Sequence, residues 1–549
     1  MKLPCDEAVI VAGARTIPCR AKSAPWILAA TILGSSMAFI DGTVVNVALP
    51  AMQSSLHATV VDIQWVIESY GLFLSALILV GGAAGDLVGR RLTFLLGTGV
   101  FAAASIGCGL SSTVFELVFA RCVQGVGAAA LVPSSLAIIS ASFDERSRGQ
   151  AIGTWSGFTA ITTAVGPVVG GWLVEHASWH WAFFLNVPLA AAVIAISLYH
   201  VPESRNPTAQ SVDWLGALAA TVSLAGLVYG FVEAAALGWS NPLVLSALIT
   251  GLGALLLFVF VENRAPSPML PISLFNSRAF TGANLLTLFL YAAFGVFFFL
   301  FPLNLIQIQG YSATAAGAAA LPIILLTFLL SRWAGRLVAR YGPRTPLIIG
   351  PLIAAAGFLL FAVPSIGGRY WTTFFPAFVV LGLGMAVSVA PLTTVVMNSA
   401  PPERVGTASG INNAVARVAS VLAVAILGYL MVQAFGHNLQ NSLAYLPLAP
   451  DLRRQILSNL VKLGGLQLPS GLDTSTAKSA QMAITRAFVF GFRLIMGICA
   501  ALAAASAAAA SWLIPQDETI RRRSHSTKIR RRGKIVLECQ AGNRCNLQL

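Results

Sequence analysis

The sequence predicts an all-α protein that crosses a membrane many times. Hydrophobic residues occupy 57% of the 549 positions and charged residues only 10%, a balance that soluble globular chains of this length do not have. Apolar runs of about 20 residues, long enough to cross a bilayer as a helix, recur along nearly the whole chain. Because no soluble catalytic domain fits between these runs, the composition argues against an enzyme.

About fourteen membrane-spanning helices are predicted from the apolar runs. They cover residues 26–49, 63–84, 93–112, 114–139, 151–174, 182–200, 213–235, 243–262, 280–302, 314–335, 345–364, 372–396, 406–434 and 486–514. Arginines concentrate in the loops of one side, such as Arg90 and Arg91, whereas the short loops of the other side carry only Arg369. Since loops rich in Lys and Arg stay in the cytoplasm, both termini are predicted to be cytoplasmic.

An internal repeat predicts two similar halves. Residues 82–91 (GAAGDLVGRR) recur in degraded form at residues 335–344 (GRLVARYGPR). The offset between the copies accommodates a set of six helices plus two inserted ones. We therefore expect an N-terminal tail over 1–25, a six-helix half over 26–200, two inserted helices over 201–265, a second half over 280–514 with an outer loop at 435–485, and a basic tail over 515–549.

Membrane topology explains the basic character of the chain. Its net charge of +14 comes from short loops on one side and from a basic tail, which favours lipid contact over nucleic-acid binding. The seven cysteines show neither a disulfide framework nor zinc-ligand spacing, so no cofactor or metal site is predicted. The outer loop holds an amphipathic stretch at 452–460, and whether a periplasmic adaptor protein docks there is open.

The residue that carries most chemical information is Asp41, a carboxylate inside the first apolar run. A buried ion at that depth costs several kcal/mol and usually faces a cavity or a partner. At 1.5 Å per residue, Asp41 lies about 13 Å from the outer end of its helix, and Arg121 lies about 10 Å from the outer end of the fourth helix. The two side chains can therefore lie at a similar depth and relieve each other's burial cost.

This depth match, together with the motifs described below, predicts proton exchange at Asp41. Arg121 would tune the proton affinity of the carboxylate, because that affinity changes when the contact between them is broken. Glu68, in the second helix, would assist. Two alternatives stay open: Asp41 is a protonated or hydrogen-bonded structural residue, and Glu68 is a hydrated residue of the membrane interface.

Several motifs occur in the order found in one family. They are Asp41-x-Thr-Val-Val-Asn46 in the first helix, Gly82-x-x-x-Asp86-x-x-Gly89-Arg90-Arg91 in the following loop, Arg121-x-x-Gln124-Gly in the fourth helix, and Gly166-Pro167-x-x-Gly170-Gly171 in the fifth. Together they resemble the fourteen-helix drug:proton antiporters of the major facilitator superfamily. One departure is Thr162, which stands where a glycine is usual.

The resemblance implies a major facilitator fold of six, two and six helices in the bacterial cytoplasmic membrane. Its halves would rock about a central site. The loop motif at Gly82, Asp86, Gly89, Arg90 and Arg91 would act as a gate, although the arginines also serve topology. The motif at Gly166, Pro167, Gly170 and Gly171 would be the antiport signature, although helix packing alone also explains glycines.

Energetics limits the cargo. A proton entering down about 100 mV and one pH unit releases roughly 3.7 kcal/mol, enough for about a 500-fold gradient of a neutral solute but only about tenfold for a monovalent cation. The spans of the second half contain no acid but do contain Arg417, which either meets an anionic group or bonds backbone carbonyls.

We therefore predict proton-coupled efflux of neutral, weakly acidic or at most monovalent amphiphiles such as drugs. A facilitator or importer on the same fold is the alternative. The predicted partners are the small-molecule substrate, protons and the lipid bilayer. The predicted substrate cavity is lined by Asn46, Trp65, Tyr70, Gln124, Phe294, Phe298 and Arg417.

Overall fold

Helices make up almost all of the structure, a computed structural model. It describes residues 23–143, 145–205, 213–265, 268–367, 369–400, 405–446, 448–468 and 473–516. The predicted basic tail therefore lies almost wholly outside the described residues. The long helices are α1 (Ala24–Ser55), α2 (Val60–Val88), α3 (Arg90–Leu110), α4 (Val114–Ser142), α5 (Glu145–His176), α6 (Asn186–His200), α7 (Trp214–Leu237), α8 (Pro242–Arg264), α9 (Arg278–Leu303), α10 (Leu321–Tyr341), α11 (Arg344–Ala362), α12 (Phe375–Asn398), α13 (Val405–Leu443) and α14 (Thr474–Leu513).

Short helical segments precede or connect some of the long helices. They are Trp181–Phe184 before α6, Ile272–Asn276 before α9, Asn304–Ile308 after α9, Ala313–Ala319 before α10, Tyr370–Thr373 before α12, and Pro450–Leu457 and Leu460–Gly465 between α13 and α14. In the described part of the chain, 13 helical segments are long and apolar enough to cross a membrane. The remaining predicted span, 151–174, lies within α5.

Local sequence sets where several helices begin. Thr59 accepts a hydrogen bond from the Asp62 backbone while Asp62 accepts one from the Thr59 backbone, a capping box that starts α2. Thr113 and Glu116 start α4 in the same way. Asp473 caps the start of α14 and accepts hydrogen bonds from Ser475 and Thr476. These hydrogen bonds hold the pKa of Asp473 below its usual range. These caps satisfy backbone donors that a helix start leaves free.

The outer segment between α13 and α14 is shorter than the predicted 435–485. Helix α13 continues to Leu443 and α14 begins at Thr474. Buried Phe435 and Leu439 extend the apolar face of α13, so this helix packs on its neighbours beyond the length that the bilayer requires. The predicted amphipathic helix at 452–460 is present as Pro450–Leu457, where Ile456 is buried.

The same pairs of helices pack together in both halves. In the first half α1 packs on α5 and α6, and α4 packs on α2 and α3; in the second half α9 packs on α13 and α14, and α12 packs on α10 and α11. The inserted helices α7 and α8 pack on each other, and α7 also touches α2 and α13. The architecture is therefore two similar six-helix bundles with a helix pair beside them, which confirms the predicted fold class.

Besides the packing of α2 on α13, the two halves meet at one end of the bundle, here called the outer side because it carries the α1–α2 connection that the sequence predicts to be outside. There α5 packs against Ala313–Ala319, and α1 touches α9. Gln307 donates a hydrogen bond of 2.8 Å to Gln53, and the Thr314 hydroxyl donates one of 2.5 Å to Glu175. The structure thus has the outer ends of the halves joined.

Candidate functional site

A buried ion pair lies in the core of the first half. Asp41 and Arg121 are each only 1% exposed, and the Arg121 guanidinium contacts the Asp41 carboxylate through Nη1 and Oδ2. The other carboxylate oxygen, Oδ1, accepts hydrogen bonds from Gln124 at 2.8 Å and from Asn186 at 3.3 Å. The carboxylate therefore has one cationic and two neutral donors, which offset the cost of burying a charge.

Arg121 is held by further contacts. Its Nε donates a hydrogen bond of 3.0 Å to the Val66 carbonyl of α2, and its Nη1 donates one of 2.7 Å to Gln124 Oε1. The guanidinium carbon lies 4.2 Å from the centre of the Tyr70 ring, a cation–π distance. Arg121 therefore connects the carboxylate on α1 to the backbone of α2.

The fourth-helix motif explains how these groups come together. Arg121 and Gln124 are three residues apart and so share one face of α4. Gly125 lets α4 approach α2, since a Cβ there would lie 2.6 Å from the Tyr70 carbonyl. Gly127 does the same for α3, where a Cβ would lie 2.6 Å from the Phe101 nitrogen. Each glycine permits a backbone approach that any side chain would block.

A central cavity of about 180 Å³ lies between the halves, next to the ion pair. Its polar lining includes Asn46, Glu68, Tyr70 and Arg121 from the first half and Arg417 from α13 of the second. Both carboxyl oxygens of Glu68 are buried without a hydrogen-bond partner. Among the described residues, Arg417 has no hydrogen bond or ion pair. The cavity thus contains one acid and one base that the protein itself leaves unpaired.

Some residues predicted to line the substrate cavity lie elsewhere. Phe294 and Phe298 pack on each other in the aromatic core of the second half, with ring centres 6.0 Å apart. Trp65 faces a separate cavity of about 450 Å³ between α2, α4, α7 and α8, and its indole donates a hydrogen bond of 2.7 Å to Glu233. Gln124 belongs to the Asp41 network. Depth predicts none of these orientations, because it leaves the rotation of a helix undefined.

The predicted gate forms a local hydrogen-bonded cluster. Arg90 and Asp86 form an ion pair of 2.8 Å, and Arg90 Nη1 also reaches the Ala137 carbonyl of α4 at 3.5 Å. Gly89 has a φ of +137°, which favours glycine. Asp86 is thus paired with an arginine of the same motif.

The start of α3 is capped by Glu203 instead. Its two carboxylate oxygens accept hydrogen bonds from the backbone nitrogens of Arg91 at 2.9 Å and Leu92 at 3.0 Å. A carboxylate at a helix N-terminus is stabilised by the helix dipole. Sequence reasoning missed Glu203 because it belongs to the loop after α6, and only the folded chain brings it to the gate.

The fifth-helix motif lies in two interfaces. A Cβ at Gly166 would collide with Thr43 of α1, and one at Gly170 would lie 2.8 Å from Val44. A Cβ at Gly171 would collide with the Ala313 carbonyl of the other half, and one at Gly317 would collide with the Pro167 carbonyl. The motif therefore packs α5 against α1 and also forms part of the outer join between the halves.

The Ser105 hydroxyl of α3 joins the two amide side chains of the Asp41 network. Asn186 lies at the first position of α6, and its amide also reaches the Ser105 hydroxyl of α3 at 3.3 Å. Gln124 donates to the same hydroxyl at 2.8 Å. Asn186 and Gln124 are visible in the sequence as polar residues within apolar runs, but their depth alone does not identify Asp41 as their partner.

Two similar bundles that share a polar cavity define a membrane transporter of the two-half type. A comparison with protein families agrees. The chain belongs to the Major Facilitator Superfamily, whose model matches residues 31–214 and 210–424. It is therefore a multi-pass membrane transporter and not an enzyme.

Curated relatives and a solved structure support this assignment. The chain is 34% identical over 444 residues to "Multidrug resistance protein Stp" of Mycobacterium tuberculosis (strain CDC 1551 / Oshkosh), covering 79% of this chain and 80% of the relative. It is 31% identical over 493 residues to "Tetracenomycin C resistance and export protein" of Streptomyces glaucescens, covering 88% and 91%. The crystal structure of a bacterial homologue of the human lysosomal transporter Spinster matches with a TM-score of 0.61 at 17% identity, over 90% of this chain and 98% of that one. This last likeness concerns the fold alone.

Proposed function

We propose that the protein exports amphiphilic small molecules in exchange for protons, from a bacterial cytoplasmic membrane in which both termini are cytoplasmic. The observation that carries the proposal is the buried Asp41–Arg121 pair next to a cavity between the halves. The relatives named for multidrug resistance and for tetracenomycin C export support the class of cargo. The family fold supports alternating access.

Asp41 is the proposed proton carrier. It shares its oxygens with Arg121, Gln124 and Asn186, so any rearrangement that withdraws these donors raises its affinity for a proton. A proton then replaces the guanidinium as the partner of the carboxylate. Return of Arg121 expels the proton, and the cycle can repeat.

A chain of contacts links this exchange to movement of the halves. Gln64 of α2 donates a hydrogen bond of 3.1 Å to the Val424 carbonyl of α13 in the second half. On the same helix, the Val66 carbonyl accepts the hydrogen bond from Arg121. A shift of α13 that displaces α2 therefore alters the contact on which the Asp41 pairing depends. This is the proposed coupling between cargo movement and proton exchange.

Gating is proposed at the two glycine motifs. On the inner side, the cluster of Asp86, Arg90 and Glu203 would stabilise one arrangement of α2 and α3. At the outer join, the contacts of Gly171 and Gly317 must separate before cargo can leave. Rocking of the two bundles would exchange these two conditions.

The test uses inverted membrane vesicles that contain the full chain and N-phenyl-1-naphthylamine, a neutral fluorescent amphiphile. Wild-type vesicles should accumulate the dye when respiration acidifies their interior, and a protonophore should abolish the accumulation. Asp41→Asn keeps the size of the side chain but removes the exchangeable proton. We expect it to lower proton-driven accumulation at least 100-fold.

Asp451→Asn serves as the matched control, because Asp451 is exposed and paired with Arg454 in the outer segment. It should accumulate the dye like wild type. Proton-driven accumulation by Asp41→Asn at the wild-type level would refute the proposal. Flux that persists unchanged with the protonophore would instead favour the facilitator.

A further inference from the structure

We propose that Arg417 forms an anion subsite in the central cavity, and that the preferred cargo is an amphiphile with a single deprotonated acid group. The inference deepens the proposed export function and depends on it for transport, although binding can be tested separately. It assigns to the cavity a chemistry opposite to that expected for cationic drugs.

Arg417 has no counter-ion of its own in the second half. Residues 278–308, 313–341, 344–362, 375–398, 405–443 and 474–513, which include the long helices of that half, contain no Asp or Glu. Among the described residues Arg417 makes no hydrogen bond or ion pair. It is partly buried and lines the cavity. A guanidinium in this position is a ready donor for a planar anion, because its five N–H groups match a carboxylate or sulfonate.

The two acids of the first half do not neutralise Arg417 in this structure. Asp41 is already paired with Arg121. Glu68 lines the same cavity as Arg417, but its oxygens have no donor. An ionised carboxylate buried without a partner is costly, so Glu68 requires either a proton or a cation. Glu68 therefore does not serve as the counter-ion of Arg417 in this structure.

The size and the walls of the cavity fit an acidic aromatic head group. Its volume is about 180 Å³, and a cavity of roughly 150 Å³ is enough for benzene. Val45, Ile67 and Leu74 provide apolar walls next to the polar lining. An acid on a small ring can therefore place its charge at Arg417 and its ring against these side chains.

The membrane potential favours such a cargo. Exit of an anion and entry of a proton each make the inside of the cell more positive. A membrane potential that is negative inside therefore drives both movements. At about 100 mV and one pH unit, one-for-one exchange supports a gradient of roughly 10⁴-fold, compared with about 500-fold for a neutral solute. An anionic group at Arg417 therefore increases the drive for export.

Binding is tested with an isosteric pair of probes, 1-naphthoate and the neutral 1-naphthamide. Each is measured by equilibrium dialysis at pH 7 against the full chain in nanodiscs, with empty nanodiscs subtracted. We expect wild type to bind 1-naphthoate at least tenfold more tightly than 1-naphthamide. Arg417→Gln should reduce this ratio to about one while leaving 1-naphthamide binding within twofold, which also shows that the variant is folded. Arg417→Lys should keep part of the ratio.

Two further variants sharpen the test. Arg493→Gln is the matched control, since Arg493 lies in the same half but bonds the carbonyls of Val363 and Pro364 away from the cavity; it should keep the wild-type ratio. Glu68→Gln keeps the size of the unpaired Glu68 side chain and should leave the binding ratio within twofold of wild type, because the subsite depends on Arg417. A wild-type ratio near one, or a ratio that Arg417→Gln leaves unchanged, overturns the anion subsite.

The outcomes separate this inference from the proposed function. Charge-selective binding that depends on Arg417, without proton-driven uptake of either N-phenyl-1-naphthylamine or 1-naphthoate in vesicles, supports the subsite and refutes the proposed exchange. Proton-driven uptake without charge-selective binding supports the exchange and overturns the subsite.

Discussion

The corresponding cores of the two halves have opposite chemistry. In the first half, α1, α3 and α4 meet around Asp41, Ser105 and Arg121, which are joined by directional hydrogen bonds either directly or through Gln124. In the second half, the equivalent helices α9, α11 and α12 meet around aromatic rings. The same helix pairs pack in both halves, so the backbone arrangement does not dictate what fills it.

The aromatic core is closely packed. The ring centres of Phe297 and Phe361 lie 4.8 Å apart, and those of Phe361 and Phe378 lie 4.9 Å apart with the planes almost perpendicular. Such edge-to-face pairs add stability beyond the burial of their area. Under the proposed function, the polar core of the first half provides the proton chemistry and the aromatic core of the second half provides a rigid partner. Three substitutions test this division.

The largest effect is expected from removing the cation of the polar core. Arg121→Leu leaves the Asp41 carboxylate buried without its charged partner, so the variant should lose about 3–5 kcal/mol of stability. Thermal unfolding in detergent, followed by tryptophan fluorescence, measures the loss. The double variant Asp41→Asn with Arg121→Leu should recover a large part of it, because no unpaired charge remains. A single variant as stable as wild type would show that the polar core is not a charge pair.

A smaller effect is expected in the aromatic core. Phe297→Leu removes ring contacts with Phe361 and Phe378 and should cost about 1–2 kcal/mol of stability. Dye accumulation per folded molecule should stay within twofold of wild type, since no ion chemistry lies there. Loss of proton coupling with stability unchanged would reverse the assigned roles of the halves.

The smallest effect is expected at the start of α3. Glu203→Gln keeps the shape of the cap but removes its charge, so we expect a loss of about 0.3–1 kcal/mol. Hydrogen exchange should become faster at the backbone amides of Arg91 and Leu92, which donate hydrogen bonds to Glu203 in the wild type. The equivalent loop of the second half provides the control, because Arg344 at the start of α11 bonds the Ser511 carbonyl and not an acid. Equal changes in exchange at both loops would show that the effect is not local.

The sequence was sufficient for the architecture and for the depth of charged groups. Apolar runs define helix positions along the membrane normal, and the rise of 1.5 Å per residue was enough to relate Asp41 to Arg121. The sequence was not sufficient for the direction in which each side chain points. Phe294 and Phe298 are predicted to line the substrate cavity but face the aromatic core of the second half. Trp65 faces the inserted helices instead.

The sequence also could not predict contacts between segments that are distant along the chain. Asn186 and Glu203 act on α1 and α3 respectively, and each is separated from its partner by about a hundred positions or more of chain. A single sequence reports which residues are polar, but the partner of each depends on how the bundle closes. The unpaired state of Arg417 could be suspected from the missing acids, whereas its place in the cavity required the structure.

The outer join has a mechanical consequence. At Gly171 and Gly317 the two halves contact each other through their backbones. No side chain at these positions can therefore rotate aside to make a small opening. In the proposed export cycle, whole helices would therefore have to separate together, and the exit would have two states, closed and open, without a partly open one. A single methyl group at either glycine would hold the two backbones apart and so prevent the outer ends of the halves from closing.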